Sequence, residues 1–203
     1  MATQVAEALC IDCPAAVEVS TKTTGFVSMV NGEHQVFTAE GRKVGIYVLP
    51  GFDVKAVEAV KAALTAAKAT PMIVGDRQKV KGSDGAAHAG QFTLETSRST
   101  HFDAVVVVGG EGGDYASKLN SGRMVHVVRE AFMHHKAIMV LGQAVDWAAN
   151  LVLPAQGLDL SGQDGNSAGV VFSRNMPAET LKTFVDLVAN HRVWDRDVAT
   201  VAA

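Results

Sequence analysis

The stretch "KAIMVLGQAVDWAANLVL", Lys136 to Leu153, decides the fold. Ala137 to Leu141 form a short run of five apolar residues. That is the length of a strand, and such continuous apolarity is typical of one buried on both sheet faces. "QAVDWAANLV", 143–152, then reads as a helix. Strand, sharp turn and helix make the joint that in many α/β proteins carries a catalytic Ser or Cys. Here it carries Gly142 and Gln143. Gly142 has no side chain and Gln143 cannot attack an electrophile, so composition alone argues against covalent catalysis at this turn. Asp146, one turn into the helix, is expected to face solvent or accept a local hydrogen bond.

Reading outward, the same rhythm recurs. "FDAVVVVGG", 102–110, is another continuous apolar strand ending in glycines. "KVGIYVL", 43–49, is rich in β-branched residues, and Pro50 and Gly51 turn the chain after it. In "FDVKAVEAVKAALTAAKA", Val54, Val57, Val60, Ala63 and Leu64 share one helical face. "PMIVG", 71–75, is a second strand. "KVKGSDG" and "QFTLETS" form a small β excursion with Gly82, Gly85 and Gly90 at its turns. "DYASKLNSGRMVHVVREAFMHHK" predicts a short helix and a longer one, with Ser121 as the N-cap of the second. "SAGVVFS" is the last strand. "PAETLKTFVDLVANHRVW" closes the chain as a helix with Pro177 at its first position. Alternating strands and helices predict an α/β fold: a mainly parallel, doubly wound sheet with helices on both faces. The Pro-Gly, Gly-Gly and Gly-Gln strand ends then lie together at the carboxyl edge, where such folds place their sites.

Residues 1–40 differ from 41–203. "ATQVAEAL" is expected to be the end of a helix, and the Thr-, Ser- and Gly-rich stretch after it reads as a linker or wrapping arm. Its apolar Phe26, Val27, Val30 and Phe37 are expected to pack on something.

The totals suit this reading. Of 203 residues, 48% are hydrophobic, enough to build one real core. The formal net charge is −3 and the Lys and Arg residues form no basic stripe, so no nucleic-acid partner is expected. The apolar runs are too short to span a bilayer, so no membrane role is expected either. No charged start, apolar stretch and cleavage site open the sequence, so no signal peptide is expected. The compartment is left unassigned. Cys10 and Cys13 make a CIDC pair, but Pro14 follows and no strand precedes. They are read as loop thiols of unassigned role, not a redox pair.

Other chemistry finds little support. The "LPGFDVKA" turn lacks the glycine pattern of a nucleotide loop, and Asp53 there is expected to cap the helix. Such a carboxylate competes with a phosphate for the same N–H groups, which disfavours a dinucleotide or flavin. Gly109 and Gly110 turn a strand into a helix, and Glu111 and Asp114 disfavour a phosphate beside them. His134 and His135 are adjacent on a helix and point different ways, a poor metal pair. No HExxH or Cys/His ligand pattern exists, so neither a metal nor a cofactor is expected in this chain.

"GRKVGIYVLPGFDVKAVEAVKAAL", "HFDAVVVVGG" and "HKAIMVLGQAVDWA" together resemble the C-terminal domain of large-subunit catalases. That domain is similar to the PfpI/ThiJ superfamily, which has a flavodoxin-like, class I glutamine-amidotransferase fold. The resemblance runs from Gly41 to the C-terminus, and "TQVAEAL" with its arm is similar to the end of the catalase helical region and its linker. In PfpI-like hydrolases and glyoxalases an acidic residue follows the first strand and a nucleophilic Cys occupies the elbow. The matching positions here are Asp53 and Gly142; Gln143 falls where that superfamily often has His, and Gly109 and Gly110 match its glycine turn. The resemblance thus implies a vestigial pocket of Asp53, Gly109, Gly110, Gly142 and Gln143. It implies an accessory domain with no catalysis of its own, and haem held in the core of a parent catalase that disproportionates hydrogen peroxide. It further implies that the domain stabilises that parent and acts as an ATP-independent holding chaperone. The expected partners are the catalase core of the same chain and unfolded client proteins, and a homo-oligomer stays open. The rival expectation is a PfpI-like hydrolase or glyoxalase using a non-standard residue.

Overall fold

A computed structural model describes residues 6–13, 15, 37–153, 158–175 and 178–198. The chain divides into two compact units, Met1–Val36 and Phe37–Ala203. In the first unit, residues 6–8 are helical and the chain then turns. Cys10 and Cys13 are exposed there. Phe26, Val27, Val30 and Pro177 lie outside the described residues, and with them their expected packing and helix-starting roles.

The second unit carries β1 (Lys43–Val48), α1 (Val54–Ala66), β2 (Thr70–Gly75), β3 (Lys79–Lys81), β4 (Ala87–Ala89) and β5 (Phe92–Thr93). A single 3-10 turn, Ser99–His101, leads to β6 (Ala104–Val107), α2 (Gly113–Leu119), α3 (Gly122–Met133) and β7 (Ala137–Leu141). Then come α4 (Ala144–Trp147), β8 (Asp164–Ser167), β9 (Val170–Ser173) and α5 (Ala178–Asn190).

Seven strands form one sheet in the order β5-β2-β1-β6-β7-β9-β8, parallel except for β8. The five central strands follow the flavodoxin-like order 2-1-3-4-5, so the doubly wound fold expected from the sequence is the one found. The register shows why both faces need cover. Ile73, Ile46, Val106, Met139 and Val171 stand abreast on five strands and point to one face. Their strand neighbours Val74, Tyr47, Val107, Val140 and Phe172 stand abreast on the other. Burying a side chain of this size contributes about 1.5–3 kcal/mol. A row of five therefore outweighs any single surface contact.

The first face is covered by α1 through Val57, Val60 and Leu64, and by α5 through Phe184 and Val188. The second is covered by α2 and α3, through Tyr115, Leu119, Val127, Val128 and Phe132. Both expected caps form: Asp53 Oδ1 accepts from Lys55 N (2.9 Å) and Ala56 N (3.2 Å), and Ser121 Oγ from Met124 N (3.4 Å). No helix among the described residues is long and apolar enough to cross a membrane.

Three local expectations change. The β excursion splits: β3 and β4 make a separate antiparallel pair, while β5 joins the main sheet beside β2. A strand goes unforeseen before the last one, because β8 is the polar run DGNS and pairs antiparallel with β9. The helix after Gly142 is α-helical only to Trp147 and widens to a π-type turn over Ala148–Val152, an irregularity often found beside functional sites.

Candidate functional site: a cleft at the carboxyl edge of the sheet

The strand ends after β1, β6, β7 and β9 surround a cleft of about 810 Å³. Asp53, Gly109, Gly110, Gly142 and Gln143, the five residues singled out from the sequence, all line it. The crossover after β1 runs to β2 and the one after its neighbour β6 runs the opposite way, to β7, so the cleft sits at the switch point of the sheet.

Gly142 makes the sharp bend. Its φ is +58°, in the left-handed region that favours glycine. Its N–H donates to Ser173 O at 2.7 Å, and its own carbonyl accepts from Val145 N at 3.1 Å. A Cβ on Gly142 would meet nothing closer than Gly109 Cα at 3.5 Å, ordinary contact. The bend therefore has room for a side chain that the sequence does not supply. Gly109 is different. A Cβ there would lie 2.6 Å from Leu141 O and 3.1 Å from Gln143 N. The close approach of two strand ends requires glycine at that position.

Asp53 faces the cleft with a carboxylate already holding the first turn of α1. Asp53→Ala is expected to cost about 1 kcal/mol in a urea titration, whereas Asp53→Asn keeps the cap and most of the stability. Asp146 is 67% exposed, as expected of a solvent-facing residue, but its partner is not local. Arg174, 28 residues on, reaches its Oδ1 at 2.7 Å. The sequence reading missed Arg174, because nothing local connects it to α4; only the β7–β9 pairing brings them together.

The cleft hydroxyls are engaged. Ser83 Oγ accepts from Val54 N at 3.3 Å, and Ser173 Oγ donates to the Asp164 carboxylate. Among the described residues no Cys or His lines the cleft. Nor does any described Met or Tyr, so none of the usual axial ligands of haem is among the described lining residues, and these residues do not fit that group. Among the described residues no group of three or more His, Cys, Asp or Glu could hold a metal ion. His134 is the C-cap of α3 and His135 lies beyond it, so the pair follows the helix and is not on it, and His135 Nδ1 lies 3.0 Å from Val193 O.

The family model for the C-terminal domain found in long catalases matches residues 40–198. The chain belongs to that family. Catalase-1 of Neurospora crassa is 34% identical over 178 residues, covering 79% of this chain and 24% of that protein. Catalase-2 of Bacillus subtilis is 28% identical over 201 residues, covering 98% of this chain and 27% of that protein. This catalase C-terminal domain thus spans about a quarter of the length of those curated relatives. Among solved structures, the ThiJ/PfpI domain protein from Brachyspira murdochii superposes with a TM-score of 0.59 at 14% identity, covering 75% of this chain and 96% of that one. At that identity the likeness is one of fold, and it agrees with the PfpI/ThiJ resemblance of the sequence.

Proposed function

We propose that this chain is a non-catalytic accessory domain of a long catalase, which stabilises its parent enzyme and holds unfolded chains without ATP. One observation carries the non-catalytic part: the elbow is built, with a left-handed bend and room for a side chain, yet it bears Gly142. The two cleft serines support the same reading, since each hydroxyl is already bonded and, among the described residues, no imidazole lines the cleft to activate it. On this reading the haem and the peroxide chemistry belong to the core of the parent, and residues 1–40 are the arm that wraps it.

A holding chaperone opposes aggregation by binding unfolded chains, which requires accessible apolar surface and no nucleotide. Leu9, Ile11, Phe37 and Trp194 supply such surface, each between 59% and 74% exposed. The test is a heat-labile client enzyme warmed with and without the purified chain while light scattering is recorded. Suppression without ATP at several-fold molar excess is the expected result; undiminished scattering rejects the holding role. Turnover of glyoxals or peptides that is lost on Asp53→Asn would instead favour a PfpI-like enzyme.

A further inference from the structure

A second pocket, of about 350 Å³, opens at the opposite edge of the sheet, where β6 and β7 begin. Thr100, His134, His135, Lys136, Arg192 and Trp194 line it together with Met133, and among the described residues no carboxylate does. Lys136 is only 3% exposed, and its ammonium donates to one neutral acceptor, Ser99 O, at 2.5 Å. Arg192 donates to the carbonyl of His191 at 2.8 Å. Among the described residues neither cation makes an ion pair. Two nearby carboxylates outside the lining, Glu130 and Asp103, favour the charge on Lys136, and Asp103 is already engaged by Arg42 (3.8 Å) and by His191 (3.3 Å).

We propose that this pocket is a binding site for a compact oxyanion, a phosphate or a carboxylate. A buried cation is costly unless an anion pairs with it. Two cations here share a cavity whose lining offers them none. An arginine fork and an ammonium are also the groups that suit planar or tetrahedral oxyanions. Arg192 further disfavours the charge on Lys136, which an anion between them would reverse.

The walls are fixed in advance. His135 and Val193 exchange a backbone hydrogen bond (2.8 Å) and a ring contact (3.0 Å), which clips the segment after α5 onto the end of α3. His135 (φ +55°) and His191 (φ +67°) hold left-handed backbone on either side, a strained arrangement that needs support from its surroundings. Trp194 lies 5.4 Å from the His135 ring and forms an open rim, 74% exposed. The volume suits a small molecule, not a polymer.

The test is calorimetric titration with inorganic phosphate, sodium acetate and sodium chloride at matched ionic strength, paired with thermal melting. Saturable binding of phosphate or acetate is expected, with a rise in melting temperature that chloride does not give. Arg192→Gln should raise the dissociation constant at least about tenfold, and Lys136→Met should act alike. Lys182→Gln, an exposed lysine on α5, should leave binding unchanged. Equal effects of all three salts overturn the proposal, as does binding that survives both pocket variants.

Discussion

Replacing Gly51 by Ala is expected to lower the unfolding free energy by at least about 3 kcal/mol, or to prevent folding. Two causes add. Gly51 has φ +88°, where an L-residue is strained. A Cβ there would also lie far inside van der Waals distance of the Glu111 carbonyl oxygen, which is backbone and cannot swing aside. Glu111 N in turn donates to Gly51 O at 3.1 Å, so the β1 and β6 loops are stitched together at this spot. Gly85 is the control. It has φ +78° but open space around it, so Gly85→Ala carries the conformational cost alone, about 1–2 kcal/mol. Urea midpoints of the two variants measure the difference. Equal losses would mean that the loops part freely and that the cleft wall is not rigid.

The second large effect concerns Lys136. Desolvation beneath the sheet, helped by the charge of Arg192, pulls its pKa from 10.5 to about 8, while Glu130 and Asp103 act in the opposite sense. Below pH 8 the folded and unfolded chains both hold the proton, and the slope contributed by this group is nil. Above pH 8 the unfolded chain keeps a proton that the folded chain has shed, so stability rises with pH until about 10.5. Between pH 7.5 and 9.5 the gain is about 2 kcal/mol. Burial pushes Tyr47 up to about 12 and raises Tyr115 as well, so both tyrosines withdraw stability once pH exceeds their unfolded value of 10. The window below pH 9.5 therefore belongs to the lysine. Denaturation in phosphate-free buffer across that window should show the rise in the parent chain and not in Lys136→Met. Parallel curves for the two proteins would contradict the assignment.

What could be read in advance was whatever short-range physics controls. "AVVVV" and "AIMVL" announced two-sided burial because they are continuously apolar, and their short length and β-branched residues favour a strand; they are the centre of the sheet. The caps at Asp53 and Ser121 were legible because donor and acceptor lie within three residues. The cleft residues were legible as strand ends. The strand "DGNS" was not, since Asp, Gly, Asn and Ser have no strand preference and only the ladder to β9 makes them one. Arg174 and Asp146 meet across 28 positions, and Lys136 meets Ser99 across 37. Each partner looks ordinary in its own neighbourhood. The same holds for Arg196, 4% exposed, which lies over the Phe132 ring and donates to Ala168 O and Phe132 O.

The two outer strands of the sheet carry a further consequence. β5 offers only two residues at one flank, and β8 presents a short, polar stretch bearing Asp164 and a glycine at the other. Neither flank gives a foreign strand a long, flat ladder to extend. Through these two flanks the domain can therefore be crowded at high concentration without zipping copy onto copy along its main sheet.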